Sequence, residues 1–358
     1  MKQILSQVTE LMKPFQLYAV GGCVRDYLLG IEPKDYDFCT NASPDEIEAC
    51  IKKAGRRAYL VGKRFGTIGC KIENQMIEIT TFRTESYEKN NRKPEVDFVS
   101  NIEVDLLRRD FTINAMALKM SNNEKGGMKL LDPSGGKKDL IESVLKAVGH
   151  PKQRFKEDSL RILRAIRFAG RFNMKIEDKT LEKMKSGAIQ ILSISKERWM
   201  QEMDKILMDD NVSYSLELLF ETGLFKYMIP ELSLQYKYDQ NSKYHDFPLH
   251  THTILVTSST PKDINLRWAG LLHDIAKPFV RTEKIRQLYP GTDIQISNYI
   301  GHEELGADMV DRIATHLKWS NERRKAVVEL VKNHLKDDCQ LRQYDNQAKR
   351  GKDNDKEM

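Results

Sequence analysis

Two aspartates one residue apart, Asp35-Tyr36-Asp37, stand at the head of an apolar run that continues through Phe38 and Cys39. In a strand, with its side-chain period of two, both carboxylates leave from one face while Tyr36 and Phe38 leave from the other. Like charges side by side repel, so the arrangement is expensive unless a cation sits between them or the strand is a solvated edge. A second strand-like run, Met76-Ile77-Glu78-Ile79-Thr80, sets Glu78 between two isoleucines. A third carboxylate there would complete a site for hard, octahedral Mg²⁺; the same pattern also describes the exposed face of a half-buried strand. Upstream, Gly21-Gly22 closes a predicted strand and is followed at once by a predicted helix. Bare backbone N–H groups can face an anion there, or the pair can simply make a turn.

Around these residues the chain alternates short apolar runs with turn residues, predicting strands over 17–20, 36–39, 67–72 and 76–82 and helices over 24–29 and 44–54. Beyond the turn cluster Asp132-Pro133-Ser134-Gly135-Gly136, helical periodicity takes over, at 158–172, 180–184, 196–207, 213–222 and 266–272. The expectation is an α+β chain, a small mixed sheet with helices followed by an all-α body, in segments 1–145, 146–240 and 241–340. The polar stretch 341–358 reads as a disordered tail. No uncharged apolar run approaches the roughly 18 to 20 residues a bilayer demands, and the amphipathic start lacks a signal-peptide pattern, so a cytoplasmic protein with no membrane partner is expected. Five cysteines without Cys-x-x-Cys spacing or flanking histidines read as reduced core thiols rather than zinc ligands. The formal net charge is +6, and the segment from His150 to Lys175, with eight basic and two acidic residues, carries all of it. An anionic partner for that segment follows.

Four motifs in order, Gly21-Gly22-Cys23-Val24-Arg25-Asp26, Asp35-Tyr36-Asp37, Arg108-Arg109-Asp110-Phe111-Thr112-Ile113-Asn114-Ala115-Met116-Ala117 and Glu157-Asp158-Ser159-Leu160-Arg161, closely resemble those of bacterial class II tRNA nucleotidyltransferases. These are the CCA-adding enzymes of the polymerase-β-like superfamily, and the resemblance runs from about residue 17 to 207. It implies a polymerase-β-like catalytic head, followed by a helical neck and a helical C-terminal domain. It also implies template-independent addition of C, C and A to the tRNA 3′ end from CTP and ATP. Asp35 and Asp37 would hold the metal ions, Gly22 and Arg25 would contact the triphosphate, and Arg109 and Asp110 the phosphates and ribose. Residues 83–98 would form the loop tied to the switch from C to A addition, although 84–94 departs from the family pattern by small insertions and deletions. A poly(A) polymerase, or a partial enzyme adding only CC or only A, is the alternative within the superfamily. The chemistry asks one metal to lower the pKa of the attacking 3′-hydroxyl and another to neutralise the departing pyrophosphate, and Asp35 and Asp37 can bridge both.

In the basic segment Asp158, Arg161, Arg164 and Arg167 recur every three residues, with Ile162, Leu163, Ile166 and Ala169 on the remaining side of the helix. Beside such a head this line suits a nucleotide-binding, base-reading role; alone it would suit a solvated face with an Asp-Arg ion pair. Cytosine and adenine each offer an amino donor beside an unprotonated ring nitrogen, the complement of an Asp acceptor and an Arg donor, whereas uracil and guanine offer the reverse. Lys152, Arg154, Arg171 and Lys175 are placed to meet tRNA phosphates.

Histidines follow in helical context: His250 and His252, the doublet His273-Asp274, His302 before Glu303, and His334. Their spacing resembles the HD superfamily of metal-dependent phosphohydrolases, whose adjacent His-Asp pair grips a divalent ion. The resemblance implies a transition metal on His252, His273, Asp274 and His302, with Asp337 or Asp338 closing the site, or a degenerate version kept for packing. An HD phosphohydrolase whose head merely binds nucleotide or RNA is therefore a further functional reading. Relatives commonly continue past residue 358, so the region that grips the tRNA elbow is expected to be short or missing.

Overall fold

The computed structural model describes residues 1–86, 95–120, 127–241, 247–289 and 292–349. The chain divides into two compact units, 1–157 with 175–180, and 158–174 with the chain from 181 onward.

The first unit is built from α1 (Lys2–Leu11), β1 (Leu17–Val20), α2 (Gly22–Leu28), β2 (Tyr36–Thr40), α3 (Pro44–Lys53), β3 (Ala58–Tyr59), β4 (Thr67–Ile72) and β5 (Gln75–Thr81). It continues through β6 (Arg83–Ser86), β7 (Glu95–Phe98), α4 (Ile102–Leu107), β8 (Ala117–Met120), β9 (Met128–Leu131), α5 (Gly136–Ile141), β10 (Val144–Leu145), α6 (Pro151–Glu157) and β11 (Lys175–Ile176). Seven strands form one mixed sheet in the order β3-β4-β5-β2-β1-β8-β9. Its one parallel pair is β2 with β5, which sets Asp37 directly beside Glu78. A parallel pair needs a long crossover, and α3 lies in that connection. Helix α3 starts at a capping box in which Ser43 and Glu46 satisfy each other's backbone, with Pro44 in the first turn. Under one face of the sheet α4 presses Ile102 and Leu106 against Tyr18, Val20, Cys39, Phe82 and Ala117. Burying that cluster, at roughly 25 cal/mol per Å² of apolar surface, fixes the strand ends that carry the polar groups. The five cysteines are free, and burial pushes the Cys23 and Cys70 thiols up to about 11.

The second unit comprises α7 (Leu160–Phe172), most of α8 (Asp178–Gly187), α9 (Lys196–Leu207), α10 (Val212–Glu221), α11 (Phe225–Met228), α12 (Pro230–Ser233), α13 (Leu249–Ser259), α14 (Ile264–Leu272) and α15 (Lys277–Val280). A hairpin β12 (Thr282–Tyr289) and β13 (Thr292–Asn298) and the helices α16 (His302–His316), α17 (Asn321–Asn333) and α18 (Arg342–Ala348) complete it. Helix α7 buries Ile162, Leu163, Ile166 and Ala169 completely, as its spacing predicts, and packs on α9 and α10. The approach to α10 is close enough that a Cβ on Gly170 would lie 1.9 Å from Ser215 Oγ. Further on, Trp268 stacks edge-on against Trp319 and donates its indole N–H to Asp204 at 2.9 Å, while Arg323 pairs with the same carboxylate.

Two expectations change here. The body is not all-α, because β12 and β13 pair antiparallel from Thr282↔Asn298 onward; Pro290-Gly291 is a turn signal that the helical flanks overshadowed. Residues 342–348 are a helix rather than a frayed tail, since Leu341, Asp345 and Ala348 are buried at helical spacing. Residues 350–358 of the expected tail lie outside the described residues. So do residues 87–94 of the expected switching loop, whose ends β6 and β7 pair antiparallel. No helix among the described residues is long and apolar enough to cross a membrane.

Candidate active sites in the two units

In the first unit the chemistry gathers around the end of β1, the start of β2 and the middle of β5. Asp37 and Glu78 are register partners on adjacent parallel strands and both face solvent, with Asp35 just ahead of β2. Partial desolvation, then the charge of Glu78 and a smaller push from Asp35, raise the proton affinity of Asp37; Arg109 opposes them. Arg109 lies across from the Gly21 turn, so close that a Cβ on Gly21 would sit 2.9 Å from its Nη1. Gly21 also has a φ of +70°, so both the space and the backbone at this turn call for glycine. Gly22 opens α2, whose Arg25 is buried: its Nε and Nη2 donate to Asp26 Oδ1 at 2.9 and 2.7 Å, and its Nη1 donates to Asn114 Oδ1 at 2.5 Å. Asn114 in turn donates to Asp110 Oδ1 at 3.1 Å, and that oxygen also accepts the Phe111 backbone N–H. Arg25 and Asp110 are thereby linked through Asn114. Three carboxylates gathered at β2 and its neighbour β5 are the hard oxygen donors that suit Mg²⁺, so these side chains fit such an ion.

In the second unit, Asp158 lies just ahead of Ser159, the residue that caps α7. Its Oδ1 accepts the Leu160 backbone N–H at 3.0 Å and its Oδ2 pairs with Arg198 of α9 at 2.7 Å. Arg161 is buried at the start of α7. Arg167 pairs with Glu202 at 2.6 Å and lies over the Phe168 ring, which Arg164 also approaches. Desolvation lowers the Arg167 pKa and the Glu202 charge works against it.

Six buried side chains converge farther along the second unit: His252 (α13), His273 and Asp274 (end of α14), His302 (start of α16), His334 (end of α17) and Asp345 (α18). All four imidazoles aim Nδ1 at a backbone carbonyl, His273 at Gly270 (2.8 Å), His302 at Tyr299 (2.6 Å), His334 at Val331 (2.6 Å) and His252 at Ala348 (3.3 Å). A carbonyl only accepts, so Nδ1 carries the proton and Nε2 is left as a lone-pair donor to a metal. Those Nε2 atoms face one another, at 3.3 Å for His252 and His273 and 3.1 Å for His302 and His334. Asp274 turns Oδ2 toward His252 and His273 (3.3 and 3.0 Å) and Oδ1 toward His302 (3.2 Å). Lone pairs at such distances repel unless a cation or proton lies between them. Two groups emerge, His252 with His273 and Asp345, and Asp274 with His302 and His334, each with ligand atoms within 4.8 Å of one another. Mixed imidazole and carboxylate donors suit transition metals over Mg²⁺. Burial lowers the His334 pKa to about 4, whereas His252 and His302, despite burial, are raised by Asp274. Asp274 is held well below the usual carboxylate range against its burial, by His273 and Lys277. A cavity of about 420 Å³ opens onto Asp274, Lys277, His302, His334, Asp345 and Lys349.

Three family models match along the chain, the poly A polymerase head domain over residues 17–146, the "probable RNA and SrmB-binding site of polymerase A" over 173–235, and the HD domain over 251–355. The chain is 37% identical to a CCA-adding enzyme of Staphylococcus epidermidis over 74% of this chain and 63% of that one, and 42% identical to one of Lactococcus lactis over 64% and 56%. The chain thus spans less than two thirds of these curated relatives. A crystal structure of the Bacillus stearothermophilus CCA-adding enzyme in complex with CTP superposes with a TM-score of 0.58 at 26% identity, covering 97% of this chain and 80% of that one.

Asp35, Asp37, Glu78 and Arg109 come together in the first unit, and Arg25 and Asp110 join through Asn114, a link the sequence did not announce. Asp158 pairs with Arg198 of α9. His252, His273, Asp274 and His302 meet as expected from the spacing, but His334 and Asp345 complete the cluster. Asp337 and Asp338 do not, because Asp337 is fully exposed and paired with Arg342 and Asp338 is also exposed. His250, two residues from His252, packs against Phe220 and Tyr236 and accepts the Lys237 backbone N–H instead.

Proposed function

We propose that this chain is a template-independent tRNA nucleotidyltransferase, adding C, C and A to tRNA 3′ ends from CTP and ATP in the cytoplasm. The observation that carries this reading is the pairing of Asp37 with Glu78, with Asp35 alongside and the Arg109 guanidinium between that pair and the glycine turn. Asp35, Asp37 and Glu78 would hold Mg²⁺, which when bound lowers the pKa of the attacking 3′-hydroxyl and neutralises the departing pyrophosphate. Arg109 supplies a fixed cation for the triphosphate, and Asp110, aligned by Asn114, a hydroxyl acceptor for the ribose. Asp158 and Arg161 supply the acceptor and donor that C and A match and U and G do not, with Arg164 and Arg167 beside them. Arg198 holds the Asp158 carboxylate oriented. Incorporation of labelled CTP and ATP into tRNAs ending before CCA, after C and after CC tests this reading. Addition of C, C and A in order supports it, long A tails mark a poly(A) polymerase, and one nucleotide alone marks a partial enzyme.

A second, separate activity is favoured by the converging Nε2 lone pairs. The six-residue cluster would hold two divalent transition metals where the sequence suggested one, supplying Lewis-acid activation of water for phosphoester hydrolysis. Lys277 and Lys349 line the cavity as cations for a phosphate. Hydrolysis of a generic phosphodiester with Mn²⁺ or Ni²⁺, retained by an Asp37→Asn variant, would support it; a cluster that takes up no metal would reduce it to packing.

A further inference from the structure

We propose that Asp105 is a positioning residue for nucleotide binding, anchoring Arg109 from behind; the inference rests on Arg109 contacting the triphosphate. Asp105 lies on the inner face of α4, its side chain fully buried between Ile102 and Leu106. An ionised carboxylate in such apolar surroundings is costly unless it is paired and hydrogen-bonded. Two guanidinium groups pair it: Oδ1 accepts from Arg108 Nη2 and Nε at 2.7 and 3.0 Å, and Oδ2 accepts from Arg109 Nη2 at 3.1 Å. The Cys39 thiol lies 3.8 Å from the same Oδ2, the Arg83 backbone N–H donates to Oδ1 at 3.4 Å, and Arg109 Nη2 reaches the Cys39 sulfur at 3.5 Å.

Arg109 is thus gripped at one end of its fork while Nη1 at the other end lies over the Gly21 turn and its charge bears on Asp37. Asp35, Asp37 and Glu78 would otherwise draw this guanidinium toward themselves, where it would compete with a cation and leave the triphosphate side. Asp105 supplies the opposing pull. A guanidinium held through Nη2 on one side is pre-organised for an anion at Nη1 on the other, and displacement by about 1 Å can cost a hundredfold in such a site.

The test is equilibrium binding of CTP in Mg²⁺ to the full chain without tRNA, together with steady-state incorporation, for Asp105→Asn, Arg109→Ala and the double variant. Asp105→Asn is expected to weaken CTP binding roughly tenfold to a hundredfold and raise KM accordingly, with kcat at saturating CTP changed only a few-fold. The double variant is expected to bind no more weakly than Arg109→Ala alone. A folded Asp105→Asn that binds CTP within twofold of the parent, or effects that add in the double variant, would overturn the anchoring role. If Arg109→Ala itself binds CTP normally, the nucleotide reading of Arg109 has failed and the proposal falls with it. Should Asp105→Asn not fold, Arg109→Lys keeps the charge but cannot span Asp105 and Gly21 at once. It is expected to lose CTP affinity to the same degree, and normal affinity would overturn the proposal.

Discussion

Asp37→Asn separates the cost of the carboxylate pair from its use. Asp37 sits beside Glu78 on a parallel strand, with Asp35 near, and its proton affinity is raised in the folded protein. The sign follows by linkage: the native state holds this proton more tightly than the unfolded chain, so the ionised form costs stability above the unfolded pKa of about 3.9. That cost is relieved as pH falls through the raised native value. Like charges directly opposite on neighbouring strands are worth roughly 0.2 to 1 kcal/mol, and solvent screening at these exposed groups favours the lower half. For a unit of this size Asp37→Asn should therefore raise the melting temperature of metal-stripped protein at pH 7 by about 1 to 2 °C, with the gain shrinking in acid. Added Mg²⁺ should reverse the order. A ligand at a hundredfold excess over its dissociation constant stabilises by about 2.7 kcal/mol, which the parent gains and the variant forfeits along with nucleotide incorporation. Differential scanning calorimetry with and without Mg²⁺ reads both effects. A variant less stable than the parent without metal, or an equal Mg²⁺-dependent rise in both, would refute the reasoning.

Asp158→Ala should lower CTP and ATP use while raising relative UTP and GTP incorporation, and Arg198→Ala, by freeing the carboxylate it holds at 2.7 Å, should shift base choice in the same direction by a smaller factor; unchanged preference for C and A in both would take base reading away from this helix. Metal analysis of the intact protein should find two transition-metal ions per chain in the histidine cluster, and His334→Ala about one; a parent with none would leave only packing there. Affinity for tRNA should fall steeply with salt, because Lys152, Arg171 and Lys175 are exposed and available to phosphates. Gly170→Ala should cost about 1 to 3 kcal/mol in thermal unfolding, through the 1.9 Å approach to Ser215 Oγ, and adding Ser215→Ala should recover part of it.

What could be read from the residues depended on whether a local period decides the outcome. Strands 17–20 and 67–72 and helix 196–207 were legible to the residue, because burial follows period two in 67–72 and period 3.6 in 196–207, while 17–20 is a short apolar run buried throughout. The carboxylates at 35, 37 and 78 were legible as a set for the same reason. Register between β2 and β5 was not, since a parallel pairing is fixed by the crossover rather than by the two strands. Asp105 and Asn114 were hidden for another reason: Asn114 joins Asp110 to Arg25, far away in sequence, Asp105 grips two arginines one helical turn on, and a single buried polar residue leaves no periodic mark. Asp345 sat inside a stretch whose high charge reads as disorder, and its helix is held by contacts with α13 and by the pull of His252 and Lys349 on its carboxylate.

The two candidate metal sites differ in a way that bears on how one chain could run both. Around Asp37 the donors are solvent-facing carboxylates, where a small cation can keep most of its water; this is the environment in which Mg²⁺ competes well. In the second unit the donors are four buried imidazoles whose protons are fixed on Nδ1, with carboxylates between them. Nitrogen ligands with fixed lone pairs favour later transition metals by orders that Mg²⁺ cannot match, and burial strips the water Mg²⁺ is reluctant to lose. Abundant Mg²⁺ would therefore leave the histidine cluster to scarcer metals. A transition metal at the low concentrations a cell tolerates would fill the histidine cluster before it displaced Mg²⁺ from Asp35, Asp37 and Glu78. Titrating Mn²⁺ into metal-stripped protein held in excess Mg²⁺ should accordingly change phosphodiester hydrolysis first and nucleotide incorporation only at much higher Mn²⁺. Parallel responses of the two activities would mean that they share one site.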